Sequence, residues 1–148
     1  MLLYGAEAWT LSSTDAAALG EFERNMPRQI FGPVRVGEDY CIQTNRELYE
    51  LSNAMDVAKR INIQRFRWLG YIVRMDVDAS PRQVFDAVVG GRRRVGRLRM
   101  LWTDQVKYAL TSLDLSNWKR RAQSSGAWRE ALRQAETRLS GCYGHRSK

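Results

Sequence analysis

The stretch DVAKRINIQRFRWLGYIVRM, residues 56–75, decides how the rest of the chain is read. At the helical rotation of about 100° per residue, Val57, Ile61, Trp68, Ile72 and Met75 fall within about 60° of one another, and Ala58, Phe66, Leu69 and Val73 widen that apolar face. Lys59, Arg60, Arg67 and Arg74 gather on the other side within about 100°, the three arginines at heptad spacing and Tyr71 on the border. Asp56 stands where an N-cap belongs. The reading is a helix with one face for a core and one for anions.

Towards the amino terminus, Thr44 and Glu47 form a capping box for a short helix through Leu48, Leu51 and Ala54. Gly32, Pro33 and Gly37 mark a loop before it. A helix is expected over 13–30, begun by one of Ser12, Ser13, Thr14 and Asp15 and carrying the apolar stripe Leu19, Phe22, Met26 and Ile30. Pro27 lies inside it and offers no N–H to the carbonyl of Glu23, so a kink or stop near Met26 is expected, at a cost of about 3 kcal/mol. The opening residues 2–9, LLYGAEAW, have the composition of one short strand that needs a partner from elsewhere.

Towards the carboxy terminus, a turn over 76–80 leads to Pro81 at a first helical position and a short helix to Val89, ended by Gly90 and Gly91. RRRVGRLR follows, placing Arg92, Arg93, Arg94, Arg97 and Arg99 around Gly96 with no core position among them. A helix capped by Thr103 or Asp104 carries Trp102, Val106, Ala109, Leu110 and Leu113 on one face, and a short one runs from Ser116 through Trp118 to Ala122. A last helix from Ser125 spaces Trp128, Leu132, Ala135 and Leu139 by four, three and four. The fold class is all-α, a small irregular bundle of about five or six helices with one short N-terminal strand at most. It divides into an N-terminal helical part over 1–90, an Arg-rich linker over 91–100, C-terminal helices over 101–140 and a flexible tail over 141–148.

Charge separates the chain into unequal halves. Residues 1–56 hold nine acidic and four basic groups, and residues 57–148 hold seven acidic and 20 basic, so a net of +8 conceals −5 followed by +13. Twenty of the 24 basic residues are Arg, whose planar fork pairs with phosphate and stacks on bases. Only the second half attracts polyanions. No run longer than seven residues is free of Asp, Glu, Lys and Arg, far short of the roughly 20 apolar residues of a membrane span. The start lacks the charged and apolar regions of a signal peptide, so an intracellular location, nuclear or cytoplasmic, is expected, with Cys41 and Cys142 as thiols.

Chemistry is sparse. The sole histidine, His145, sits four residues from the end, and Cys142 with His145 supplies two metal ligands where a closed zinc site needs four. No Gly-rich loop with a following Lys and Ser or Thr appears. Trp68, Trp102 and Trp128 lie in apolar stripes and read as core, whereas Tyr71 borders the basic face and suits base or sugar contact. No cofactor is expected, and the arginines read as gripping backbone phosphates without reading bases.

Four blocks, LLYGAEAWTL at 2–11, RFRWLGYIVRM at 65–75, GRLRMLW at 96–102 with Asp104, and AWREALRQA at 127–135, occur in that order. Together they resemble the carboxy-terminal region of reverse transcriptases encoded by non-LTR, LINE-type retrotransposons, over nearly the whole chain. The resemblance implies a thumb and post-thumb segment that holds RNA or an RNA/DNA hybrid, attached to the rest of a reverse transcriptase. The family's Tyr- or Phe-x-Asp-Asp motif and its magnesium belong to a catalytic palm absent from this chain, which is therefore not expected to polymerise alone. Tyr71 stands where the family usually has His, Leu98 where it has Pro, Leu101 near a basic position and Pro27 in place of an apolar helix former. The nucleic-acid-binding residues so assigned are Arg60, Arg67, Tyr71, Arg74, Arg92, Arg93, Arg94, Arg97 and Arg99. The alternatives are a helical protein-interaction module and a degenerate element copy without function.

Overall fold

The computed structural model describes residues 3–87, 101–115 and 117–141. Among them the order is a 3₁₀ turn Ala6–Ala8, α1 Ser13–Phe31, β1 Val34–Val36, β2 Asp39–Cys41, α2 Asn45–Ser52, α3 Val57–Arg74, α4 Ser80–Asp86, α5 Trp102–Ser112, α6 Trp118–Gln123 and α7 Ser125–Gly141. The all-α expectation holds, with seven helices and one small sheet.

Helix α3 is the axis. Its N-terminus is fixed by two carboxylates: Asp56 accepts from the N–H groups of Ala58 and Lys59, and Glu23 of α1 accepts from Val57 N–H at 2.8 Å. The Tyr49 hydroxyl donates towards the same two carboxylates. Burial, with those negative charges, pushes the Tyr49 phenol up from its ordinary value of 10.0. The 3₁₀ turn and helices α1, α4, α5, α6 and α7 pack around α3, and its buried positions are not confined to one face: Ile63 and Arg65 are covered as well as Ile61, Phe66, Leu69 and Ile72. Phe66 and Leu69 meet Val106 and Leu110 of α5, Trp118 and Ala122 of α6, and Trp128, Ala131 and Ala135 of α7. A smaller cluster joins Ala6, Val57 and Ile61, with Leu3, Leu11 and Leu19 against it.

Gly70 makes the closest approach in the core possible. A Cβ there would lie 2.0 Å from Trp128 Nε1, which instead donates to the Phe66 carbonyl at 3.0 Å. Glycine in mid-helix costs about 1 kcal/mol relative to alanine, and here that cost lets an indole dock on the backbone of α3.

Several expectations need correction. No strand forms over the described part of 2–9; the chain makes the 3₁₀ turn, entered through Gly5 at φ 69° and held by Ala8 and Trp9 N–H groups. The strands lie in the expected loop: Val34 pairs with Cys41 and Val36 with Asp39, around the two-residue turn Gly37-Glu38, where Gly37 takes φ 69°. Pro27 does not stop α1, which runs to Phe31, because one missing donor deletes one bond while Arg28 O still closes the helix on Gly32 N–H at 3.0 Å. Of the α1 stripe Leu19 packs against the Ala6 cluster, whereas Phe22, Met26 and Ile30 are 58, 57 and 75% exposed. The helix also meets its neighbours through buried Gly20 and the polar residue Glu23. Trp68 is half-buried and stacks on Tyr71, ring centroids 5.5 Å apart, instead of entering the core. Helix α5 begins two or three residues earlier than expected because the Leu101 carbonyl accepts from Asp104 and Gln105, so neither Thr103 nor Asp104 caps it. Helix α4 ends at Asp86, and the expected end at Val89 with Gly90 and Gly91 lies outside the described residues.

Candidate nucleic-acid interface

Heptad spacing on α3 places Arg60, Arg67 and Arg74 along one line, and all three are exposed, as is Tyr71 at 55%. At 1.5 Å per residue the line is about 21 Å long, roughly six steps of a nucleic-acid strand at 3.4 Å each. Trp68 backs Tyr71, which with Arg74, Met75, Asp76, Ala79 and Pro81 lines an open hollow of about 450 Å³ between α3 and α4. Helix α6 adds Lys119 and Arg120, both exposed, and half-buried Arg121, beside the residue whose carbonyl holds Arg74. Lys119, Arg120 and Arg121 were not among the residues assigned from sequence, although the KRR triplet at 119–121 is a signal that could have found them.

The same cations also serve the fold. The last carbonyls of an α-helix lack intrahelical partners and carry the negative end of its dipole, so basic side chains satisfy them. Arg74 donates to Ala122 O of α6 at 2.8 Å, Lys59 to Leu139 O of α7 at 2.7 Å, Arg82 to Val73 O of α3 at 2.7 Å, and Arg138 to Leu113 O at the end of α5. Arg67 pairs with Glu136 of α7 at 2.8 Å through one terminal nitrogen. With side chains 62 and 36% exposed, this pair is worth at most about 1 kcal/mol and leaves the other guanidinium donors facing out. Arg60 has no hydrogen-bond or ion-pair partner for its side chain among the described residues. Arg133 pairs with Glu130, whose carboxyl is lowered by that bond and by Gln134.

Arg92, Arg93, Arg94, Arg97 and Arg99 lie outside the described residues, as do Cys142 and His145. The flanking elements are placed, however: Phe85 of α4 meets Trp102 of α5 edge to face at 6.5 Å, so the chain on either side of that segment is joined at one point. Cys41 is an exposed free thiol. Among the described residues no group of three His, Cys, Asp or Glu side chains is placed to hold a metal ion, and no helix is long and apolar enough to cross a membrane. No protein-family model, no curated protein and no solved structure matches the chain.

Proposed function

We propose that the chain is the nucleic-acid-binding carboxy-terminal part of a non-LTR retrotransposon reverse transcriptase, without the catalytic palm, and that it grips the phosphates of RNA or an RNA/DNA hybrid. The observation that supports this reading is the exposed α3 row, Arg60, Arg67 and Arg74, with Tyr71 set among them on a half-buried tryptophan. The guanidinium forks take the phosphates, and the tyrosine ring offers a platform for a base or sugar. Arg92, Arg93, Arg94, Arg97 and Arg99 extend the same chemistry in sequence. Contacts of this kind set position on the strand and do not read its bases.

Fluorescence anisotropy with a labelled RNA hairpin, an RNA/DNA hybrid and a single strand, taken across a salt series, tests the proposal. Five phosphate contacts give a log-affinity against log-salt slope of about −4.5 on a duplex and about −3.5 on a single strand. Arg60→Ala, which disturbs no described contact, is expected to reduce the slope by about 1. An affinity indifferent to salt rejects it. The protein-interaction reading has one observation in its favour, the exposed Phe22, Met26 and Ile30 of α1, and it gains if the triple change Arg92→Ala, Arg93→Ala, Arg94→Ala leaves RNA affinity unaltered.

A further inference from the structure

A groove of about 550 Å³ opens between the start of α1, the middle of α3 and α5, a volume suited to a small ligand. Its walls are built on small side chains, Ala16, Ala58 and Ala109, which leave apolar space where larger residues would fill it. Gln105 fastens two walls together, accepting from Leu11 N–H at 3.1 Å and donating back to the Leu11 carbonyl. One charged residue in the lining is buried: Arg65, 3% exposed.

Arg65 is an unusual occupant. One terminal nitrogen donates to Trp9 O at 2.5 Å and the other to Asn62 Oδ1 at 3.1 Å, while Nε has no partner. None of the ion pairs among the described residues involves it. Burial therefore presses its pKa downward with nothing to oppose the effect. A buried charge without a counter-charge is costly, and an anion seated beside it removes that cost. Asp104 also lines the groove, and its carboxylate disfavours a dianion about twice as strongly as a monoanion. An apolar lining and a single buried cation select a molecule with one charge and a hydrocarbon body.

We propose that this groove is a binding site for a medium-chain carboxylate, its carboxylate against Arg65 and its alkyl chain along Ala16, Ala58 and Ala109. The site is separate from the α3 row and does not depend on the nucleic-acid reading.

Titration calorimetry of the full chain with decanoate below its micelle concentration, with decanol and decyl phosphate as controls, tests it. Decanoate is expected to bind saturably, and decanol roughly tenfold more weakly for want of the charged hydrogen bond. Decyl phosphate is expected to bind more weakly than decanoate, and Asp104→Asn to narrow that gap. Arg65→Gln also removes the hold on Trp9, so Ala109→Leu serves as the second variant, filling the groove with Arg65 in place. It is expected to abolish decanoate binding while the melt stays cooperative. Absence of saturable binding, equal affinity for decanol and decanoate, or unchanged binding in Ala109→Leu overturns the proposal.

Discussion

Gly70 and Trp128 show how one missing side chain organises a core. Alanine at 70 puts a methyl group into the indole and displaces the bond to Phe66 O, so Gly70→Ala is expected to cost about 3 kcal/mol, read from urea unfolding followed by tryptophan fluorescence. The pattern of residues 56–75 showed that the helix exists but not this function of its glycine, because period reading weighs side chains and glycine has none. Tyr49 carries a pH signature. Its folded pKa is raised, so the neutral phenol is favoured in the native state, and the stability it contributes is complete below pH 10.0 and lost as pH rises through the folded value. Urea midpoints measured at rising alkaline pH should fall in the native chain and fall less in Tyr49→Phe.

Helix α1 turns Glu23 inward and, beyond Leu19, carries the rest of its apolar stripe outward. Periodicity reported a stripe correctly and the destination of most of it wrongly, since spacing says which residues share a face and only the neighbours say what covers it. Changing Met26 or Ile30 to Lys is accordingly expected to alter stability by no more than about 0.5 kcal/mol, whereas Leu48→Ala and Phe66→Ala, at fully buried positions, should each cost several times that in the same denaturation assay. Pro27→Ala restores the donor to the Glu23 carbonyl and is expected to add about 2 to 3 kcal/mol to the stability of α1, seen as a higher helical signal and melting temperature. The capping box of Thr44 with Glu47 that begins α2 was the most legible local feature, whereas for α1 four candidate caps stood open and the structure selects Ser12, boxed with Asp15. Ser12 holds the Asp15 carboxyl below its usual value, and Thr44 does the same for Glu47, so what these caps contribute is present above pH 3.8 and 4.5 and disappears as pH falls through the folded values. Thr44→Ala should cost about 1 kcal/mol near neutral pH and less in acid.

The whole molecule combines an acidic first third with a basic remainder, and that division was fully readable, as were the existence and order of the helices. The all-round burial of α3 and the capping work of Arg74, Lys59 and Arg138 were not, because each depends on residues far apart in the chain, and the hairpin, though local, was missed because its three-residue strands are exposed throughout and too short to show a period. A count of basic residues thus overstates the number of guanidinium groups wholly open to a ligand. Long separation has a further outcome for how the polypeptide is made. Phe66 and Leu69 emerge from the ribosome well before Trp128, Ala131 and Ala135, the residues that will cover them, and Arg74 must wait 48 residues for its carbonyl. A nascent chain halted at Ser124 therefore exposes a greasy, half-made axis, and is expected to bind the dye ANS and melt without cooperativity. Helix α7 completes the cover over α3, and chaperone demand should peak in the interval just before it leaves the exit tunnel.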